Sequence, residues 1–162
     1  MTITEDQIWK WLEDVSDPEI PVLSVVDLGV VRHVELGGDH PIIKITPTYS
    51  GCPAMQEIEE NIKQKLKEEG LETAEVQTIL SPPWTTDWMT ERGKQKLREF
   101  GIAPPEGSSV DKSVLFGKAK TVKCPYCSST NTTMVSQFGS TACKSLYKCT
   151  DCLEPFDYFK CI

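Results

Sequence analysis

A chain of 162 residues with 39% hydrophobic side chains can bury one modest core and carry a small second module, and no apolar run in it approaches the length that spans a bilayer. Its charge is uneven: residues 1–117 carry a net −10 and residues 118–162 a net +3, so the main body lacks the basic face that phosphate binding needs, and protein or metal partners are favoured over nucleic acid. The start, Met1 to Asp6, has neither a basic region nor an apolar segment, so no export signal is expected and the chain is read as soluble and cytoplasmic.

Thr4-Glu5-Asp6-Gln7 has the form of a capping box, and Ile8, Trp11, Leu12 and Val15 follow at helical spacing, which predicts a short amphipathic helix. Asp17-Pro18-Glu19-Ile20-Pro21 then fixes φ twice and withholds two N–H groups, giving an ordered turn or extended loop. Its carboxylates, Asp17 and Glu19, could face a cation or a partner, or belong to a solvated turn. Val22 to Leu36 is rich in β-branched residues; Asp27-Leu28-Gly29 interrupts it, and a strand resumes at Val30. Gly37-Gly38-Asp39 predicts a hairpin turn, with Ile42 to Thr46 as the returning strand.

Thr46-Pro47-Thr48-Tyr49-Ser50-Gly51-Cys52-Pro53 breaks that strand into a small-residue loop. Proline suits the first helical position, so Pro53 marks a helix start and places Cys52 at the N-cap. Met55, Ile58, Ile62 and Leu66 form its apolar stripe, and Gly70 closes it. A thiol at such an end faces free backbone N–H groups and the positive end of the helix dipole, which favours the thiolate that binds metal or attacks electrophiles. The plainer reading is a small buried hydrophobe. Ala74, Val76, Thr78 and Leu80 alternate as a third strand, so strand, helix and strand should form a right-handed parallel crossover.

A last helix is expected to be capped by Thr86 or Asp87 and to end at Gly101. Trp84, Trp88 and Met89, with Asp87 among them, could form an exposed partner contact or seal the end of the core. Ala103-Pro104-Pro105-Glu106-Gly107-Ser108-Ser109 has linker composition. The expected organisation is therefore a domain over 1–103, a linker over 104–117 and a module over 118–162.

Of seven cysteines, four sit in Cys124-Pro125-Tyr126-Cys127 and Cys149-Thr150-Asp151-Cys152, two knuckles separated by 21 residues. In a cytosolic chain that pattern means metal before disulfides. Each tight turn offers two sulfurs, and two turns complete a tetrahedral four-thiolate site for zinc; iron in the same thiolates is the rival. Strands over Thr132 to Phe138 and Leu146 to Lys148 give the layout of a zinc ribbon, and the ion supplies folding free energy that about 45 residues cannot. Cys143, in Phe138-Gly139-Ser140-Thr141-Ala142-Cys143-Lys144, could bring an accessory thiol near the metal or a partner, or simply pack. Cys161 is read as incidental. His33 and His40 stand apart and are read as structural. The fold class is α+β: a small mixed three-stranded sheet with helices in the order α-β-β-α-β-α, followed by a β-rich zinc ribbon.

Asp17-Pro18-Glu19, Asp27-Leu28-Gly29, Thr48 through Pro53 and Pro82-Pro83-Trp84 with Asp87-Trp88-Met89 together resemble the iron-sulfur assembly family that includes SufT, over residues 5–103. Trp88-Met89 departs from the double methionine usual there. The whole arrangement, with the CPYC and CTDC ribbon and its Phe-Gly-Ser-Thr-Ala-Cys-Lys loop, resembles the PaaD family of the bacterial phenylacetate pathway. That resemblance implies a non-catalytic accessory subunit of the multicomponent 1,2-phenylacetyl-CoA epoxidase of aromatic compound catabolism, with a di-iron oxygenase and an iron-sulfur reductase as partners. It implies assistance in assembling iron-sulfur or iron centres, with Cys52, beside Asp17 and Glu19, handling a transient cluster or iron. The alternatives are a metal-stabilised scaffold that docks the epoxidase components without metal transfer, and a stand-alone iron-sulfur assembly factor. A nucleic-acid-binding ribbon rests on Tyr126, Tyr147 and Phe156, and a cysteine enzyme has no visible base to support it. A homodimer stays open.

Overall fold

A computed structural model describes residues 2–38, 40–48, 51–105, 121–141 and 143–159. The chain divides into two compact units, Met1–Trp84 with Trp88–Gly93, and Thr85–Asp87 with Lys94–Ile162.

In the first unit α1 (Glu5–Leu12) is closed by the expected capping box: the Gln7 N–H donates to Thr4 Oγ1 at 3.3 Å and the Gln7 carboxamide oxygen accepts from the Thr4 N–H at 3.1 Å. β1 (Val31–Glu35) pairs antiparallel with β2 (Ile42–Ile45), and β2 pairs parallel with β3 (Glu75–Thr78), giving the order β1-β2-β3. The hairpin and the parallel crossover are both as expected; Asp39 of the turn lies outside the described residues. The crossover helix α2 (Ala54–Glu68) buries Ala54, Ile58, Ile62 and Leu66, so Ala54 takes the stripe position predicted for Met55. It ends in a Schellman arrangement: Leu71 N–H donates to the Leu66 carbonyl at 2.8 Å and Gly70 N–H to that of Lys67 at 3.0 Å, with Gly70 at φ +92. These stripes enclose Ile8, Leu12, Leu23, Val25, Val30, Ile43 and Ile45, all fully buried.

The last helix, α3 (Glu91–Glu99), starts later than predicted, after a 3-10 turn over Thr86–Trp88. Thr90 caps it, its hydroxyl accepting the Gly93 N–H at 3.0 Å. Thr86 and Asp87 are therefore not its caps; three threonines lie close together here, and only Thr90 meets an open N–H three residues on.

The second unit holds a four-stranded sheet in the order β4-β7-β6-β5, from β4 (Ile102–Ala103), β5 (Thr132–Ser136), β6 (Lys144–Cys149) and β7 (Pro155–Phe159). Ile102 and Ala103, expected to close the first domain, pair parallel with Asp157 and Tyr158. Pro104 and Pro105, which follow this edge strand, are buried. Residues 106–117 of the expected linker, and Cys161, lie outside the described residues. One core cluster joins Ala103, Val122, Cys124, Tyr147, Cys149, Phe156 and Tyr158. Tyr147 stacks on Phe156 at 5.9 Å and meets Tyr158 edge-on at 5.5 Å. Tyr147 and Phe156 are thus core residues with no face for a nucleic-acid base, and only Tyr126 of the three is exposed.

Candidate metal centre and reactive thiol

The four knuckle sulfurs, Cys124, Cys127, Cys149 and Cys152, all lie within 4.8 Å of one another. Sγ of Cys124 is 3.8 Å from that of Cys152, and Sγ of Cys127 is 3.5 Å from that of Cys149. Disulfide sulfurs sit about 2.05 Å apart, so these are thiols. Tetrahedral zinc with bonds of about 2.3 Å separates its sulfurs by roughly 3.8 Å. The donor set therefore fits zinc with all four positions taken.

Local structure builds the two turns alike. Cys124 N–H donates to the Ser129 carbonyl at 2.9 Å, and Cys149 N–H to that of Glu154 at 3.0 Å. In each knuckle the residue after the second cysteine is left-handed, Ser128 at φ 63 and Leu153 at φ 65. No glycine announces either position. A non-glycine residue there costs about 1 kcal/mol, so Leu153→Gly, at an exposed side chain, is expected to leave metal content unchanged and to raise the ribbon's melting temperature slightly, as calorimetry would read. Asp151 ties the knuckles together, accepting the Asn131 amide at 3.0 Å and the Ser129 hydroxyl, and these bonds hold its carboxyl below the usual range.

Crowding splits the thiols. The Cys152 N–H, outweighing burial, lowers Cys149 to about 7. At Cys152 the Glu154 N–H favours thiolate, but burial and the three neighbouring sulfurs push the thiol up to about 12. Four sulfurs this close cannot all ionise without a cation between them.

Cys143 is buried, its sulfur 3.0 Å from the Thr141 hydroxyl, and is not one of the four clustered sulfurs.

In the first unit α2 begins at Ala54, with Pro53 at the N-cap and no side-chain capping bond, so Cys52, predicted to be the N-cap, stands one residue ahead of it. The Met55 N–H donates to the Cys52 carbonyl at 3.2 Å. Cys52 is half-buried and Gly51 exposed. Gly51 adopts φ +73, and an added Cβ would meet nothing within 4 Å. Tyr49 and Ser50 lie outside the described residues. Thr46, at the head of the same loop, is 1% exposed and its hydroxyl has no hydrogen-bond partner among the described residues.

Asp17 is 5% exposed, and its Oδ1 accepts the N–H groups of Glu19 at 2.9 Å and Ile20 at 2.7 Å. The carboxylate shapes the Pro18 to Pro21 turn from within. Glu19 is half-buried on that turn.

Trp84 and Met89 are buried at 3% and 5%, and Trp84 Nε1 donates to the Leu28 carbonyl at 3.0 Å. Of the four residues read as a partner contact these two sit in the core; Asp87 is exposed and Trp88 half-exposed. Asp27, which sequence reasoning did not single out as a site, is fully buried. Its Oδ1 accepts from Arg92 Nε at 2.8 Å and from the Thr90 hydroxyl at 3.2 Å, while its carbonyl accepts the Thr90 N–H at 3.0 Å. Asp27 and then Glu13 hold the Arg92 guanidinium above its ordinary value. Gly29 follows at φ +76, where an added Cβ would lie 2.4 Å from the Trp88 carbonyl oxygen. Asp27-Leu28-Gly29 is thus a clamp that fixes the Trp84 to Arg92 segment. In the sequence it shows only as an interruption of an apolar run and as one of the motifs of the family resemblance.

Residues 5–80 match the model of an iron-sulfur cluster assembly protein family, and residues 108–160 match that of the PaaD zinc beta ribbon domain. The chain is 49% identical over 156 residues, 96% of its length and 92% of the relative's, to an Escherichia coli (strain K12) protein whose name makes it one of the 1,2-phenylacetyl-CoA epoxidase subunits. It is 34% identical over 58% of its length, and 90% of the relative's, to a Porphyromonas gingivalis protein named as an Fe-S protein maturation auxiliary factor. Among solved structures, a domain of unknown function, DUF59, from Bacillus anthracis aligns with a TM-score of 0.53 at 31% identity, covering 57% of this chain and 90% of that one.

Proposed function

This chain belongs to the PaaD family, and from that premise we propose that it is a non-catalytic accessory factor that assists assembly of iron-sulfur or iron centres in partner proteins. The observation that carries this reading is Cys52: a half-buried thiol at the head of α2, with open space beside Gly51, apart from the four-thiolate cluster. The two metal roles are separate. The ribbon thiolates Cys124, Cys127, Cys149 and Cys152 keep a resident zinc ion whose role is to hold the knuckles together, since no coordination position is left for a substrate. Cys52 contacts iron or a cluster as cargo. Asp17 and Glu19 act in this reading by shaping their own turn.

The partners are the di-iron oxygenase and the iron-sulfur reductase of a phenylacetyl-CoA epoxidase, in the cytoplasm; among the described residues no helix is long and apolar enough to cross a membrane. Support comes from the name of the E. coli relative and from the order of the two family domains. The test is co-expression of a Cys52→Ser chain with those components, followed by iron analysis of each. The expected result is normal complex recovery with reduced partner iron. Undiminished partner iron would leave only docking, the scaffold reading, in which Cys52 is dispensable.

A further inference from the structure

Arg32 is the extra residue of a β-bulge. Val31 faces Ile45 and His33 faces Lys44, so nothing on β2 stands opposite it. A bulge bends its strand and re-aims a side chain, and here the Arg32 guanidinium lies 3.5 Å from the centroid of the Trp88 ring. The platform is fixed, because Trp88 packs its backbone against Gly29, where no side chain fits, and Thr90 two residues on is bonded to Asp27. An arginine stacked on an indole gives its face to the ring and keeps its fork of N–H donors in plane for something else.

Within the described residues nothing takes that role. Lys44, Lys63, Lys65 and Arg92 of the same unit each pair with a carboxylate, and Arg32 has no such partner. It is half-buried, and burial pushes its pKa below the ordinary value, the mark of a cation drawn partly out of water without a counter-charge.

We propose that Arg32, held on Trp88, is a carboxylate-binding site. A planar guanidinium fork accepts a carboxylate through two parallel N–H bonds. One guanidinium balances one negative charge, and residues 1–117 already carry a net −10, so the surrounding field penalises a phosphate dianion more than a carboxylate monoanion. β1 is an edge strand, which gives an extended polypeptide room to bring an aspartate, a glutamate or a chain terminus to the fork; a free organic acid is the other source of the same chemistry. The site shares no residue with the Cys52 loop and stands or falls separately from it.

The test is a titration of the 15N-labelled full chain, following the Arg32 Nε–H and Trp88 indole N–H signals. The probes are sodium acetate, a blocked Ala-Ala-Glu-Ala-Ala peptide and inorganic phosphate, against sodium chloride at equal ionic strength. Saturable shifts of both signals with a carboxylate are expected. They should be lost in Arg32→Gln and weakened at least about tenfold in Arg32→Lys, which keeps the charge and removes the fork. Peptide binding about tenfold tighter than acetate identifies a polypeptide source; equal affinity identifies a free acid. Shifts matched by chloride, tighter binding of phosphate than of either carboxylate, or full affinity in Arg32→Lys would overturn the proposal.

Discussion

A Cys149→Ser chain is expected to lose its stoichiometric metal and to lose the ordered ribbon over residues 121–159, while residues 5–93 keep their fold. Cys149 is fully buried, belongs to the core cluster of the ribbon and is one of four sulfurs gathered within 4.8 Å. The apparent binding free energy of a structural zinc ion in a small module is about 10–16 kcal/mol, larger than any single packing interaction. Without it the remaining Cys124, Cys127 and Cys152 sulfurs crowd one another with no cation to balance their thiolate charge. Heteronuclear spectra should show the β5, β6 and β7 amides collapsing to unfolded positions with the α1, α2 and β1 to β3 amides in place. Chelation of the unmodified chain should reproduce the pattern, and acid should as well, because the ligands bind as thiolates.

The second large effect is Arg92→Ala. Asp27 is fully buried, whereas the Arg92 side chain is 50% exposed and also reaches Glu13 at 3.3 Å. Removing the arginine strands a buried carboxylate and is expected to destabilise the first unit by about 3 kcal/mol, at the low end for breaking a buried pair, because the Thr90 hydroxyl and Ser24 N–H still serve the carboxylate. Asp27→Ala leaves a cation that water can reach and should destabilise less. Calorimetry of both variants checks the order. The deficit of Arg92→Ala should shrink as pH falls, since a stranded carboxylate that takes up a proton no longer carries buried charge. Equal destabilisation by the two variants would mean that the clamp works through hydrogen bonds alone.

What could be read in advance follows from how local each signal is. The capping box at Thr4, the hairpin and each CxxC turn are written within a few residues, the crossover through α2 in the plain succession of strand, helix and strand, and the structure has them. The start of α3 was misplaced because Thr86, Asp87 and Thr90 offer equivalent caps to a reader of sequence; the choice is made by Asp27, more than sixty residues away, which takes both the hydroxyl and the N–H of Thr90. β4 was hidden because a two-residue strand followed by prolines has no periodicity of its own and exists only where β7 offers it an edge. The left-handed turns at Ser128 and Leu153 lack the glycine that would mark them. Trp84 and Met89 could be read as a surface contact or as the seal of a core, and the bond of Trp84 to the Leu28 carbonyl is a tertiary fact.

In the proposed function the cysteines divide between a resident ion and a passing one, a division that metal analysis tests. The chain and its Cys52→Ser variant are purified, assayed for zinc and iron, and assayed again after anaerobic reconstitution with iron and sulfide. About one zinc per chain is expected in both, with added iron held only where Cys52 is present. Iron retained equally by the variant, or iron displacing the ribbon's zinc, would contradict it.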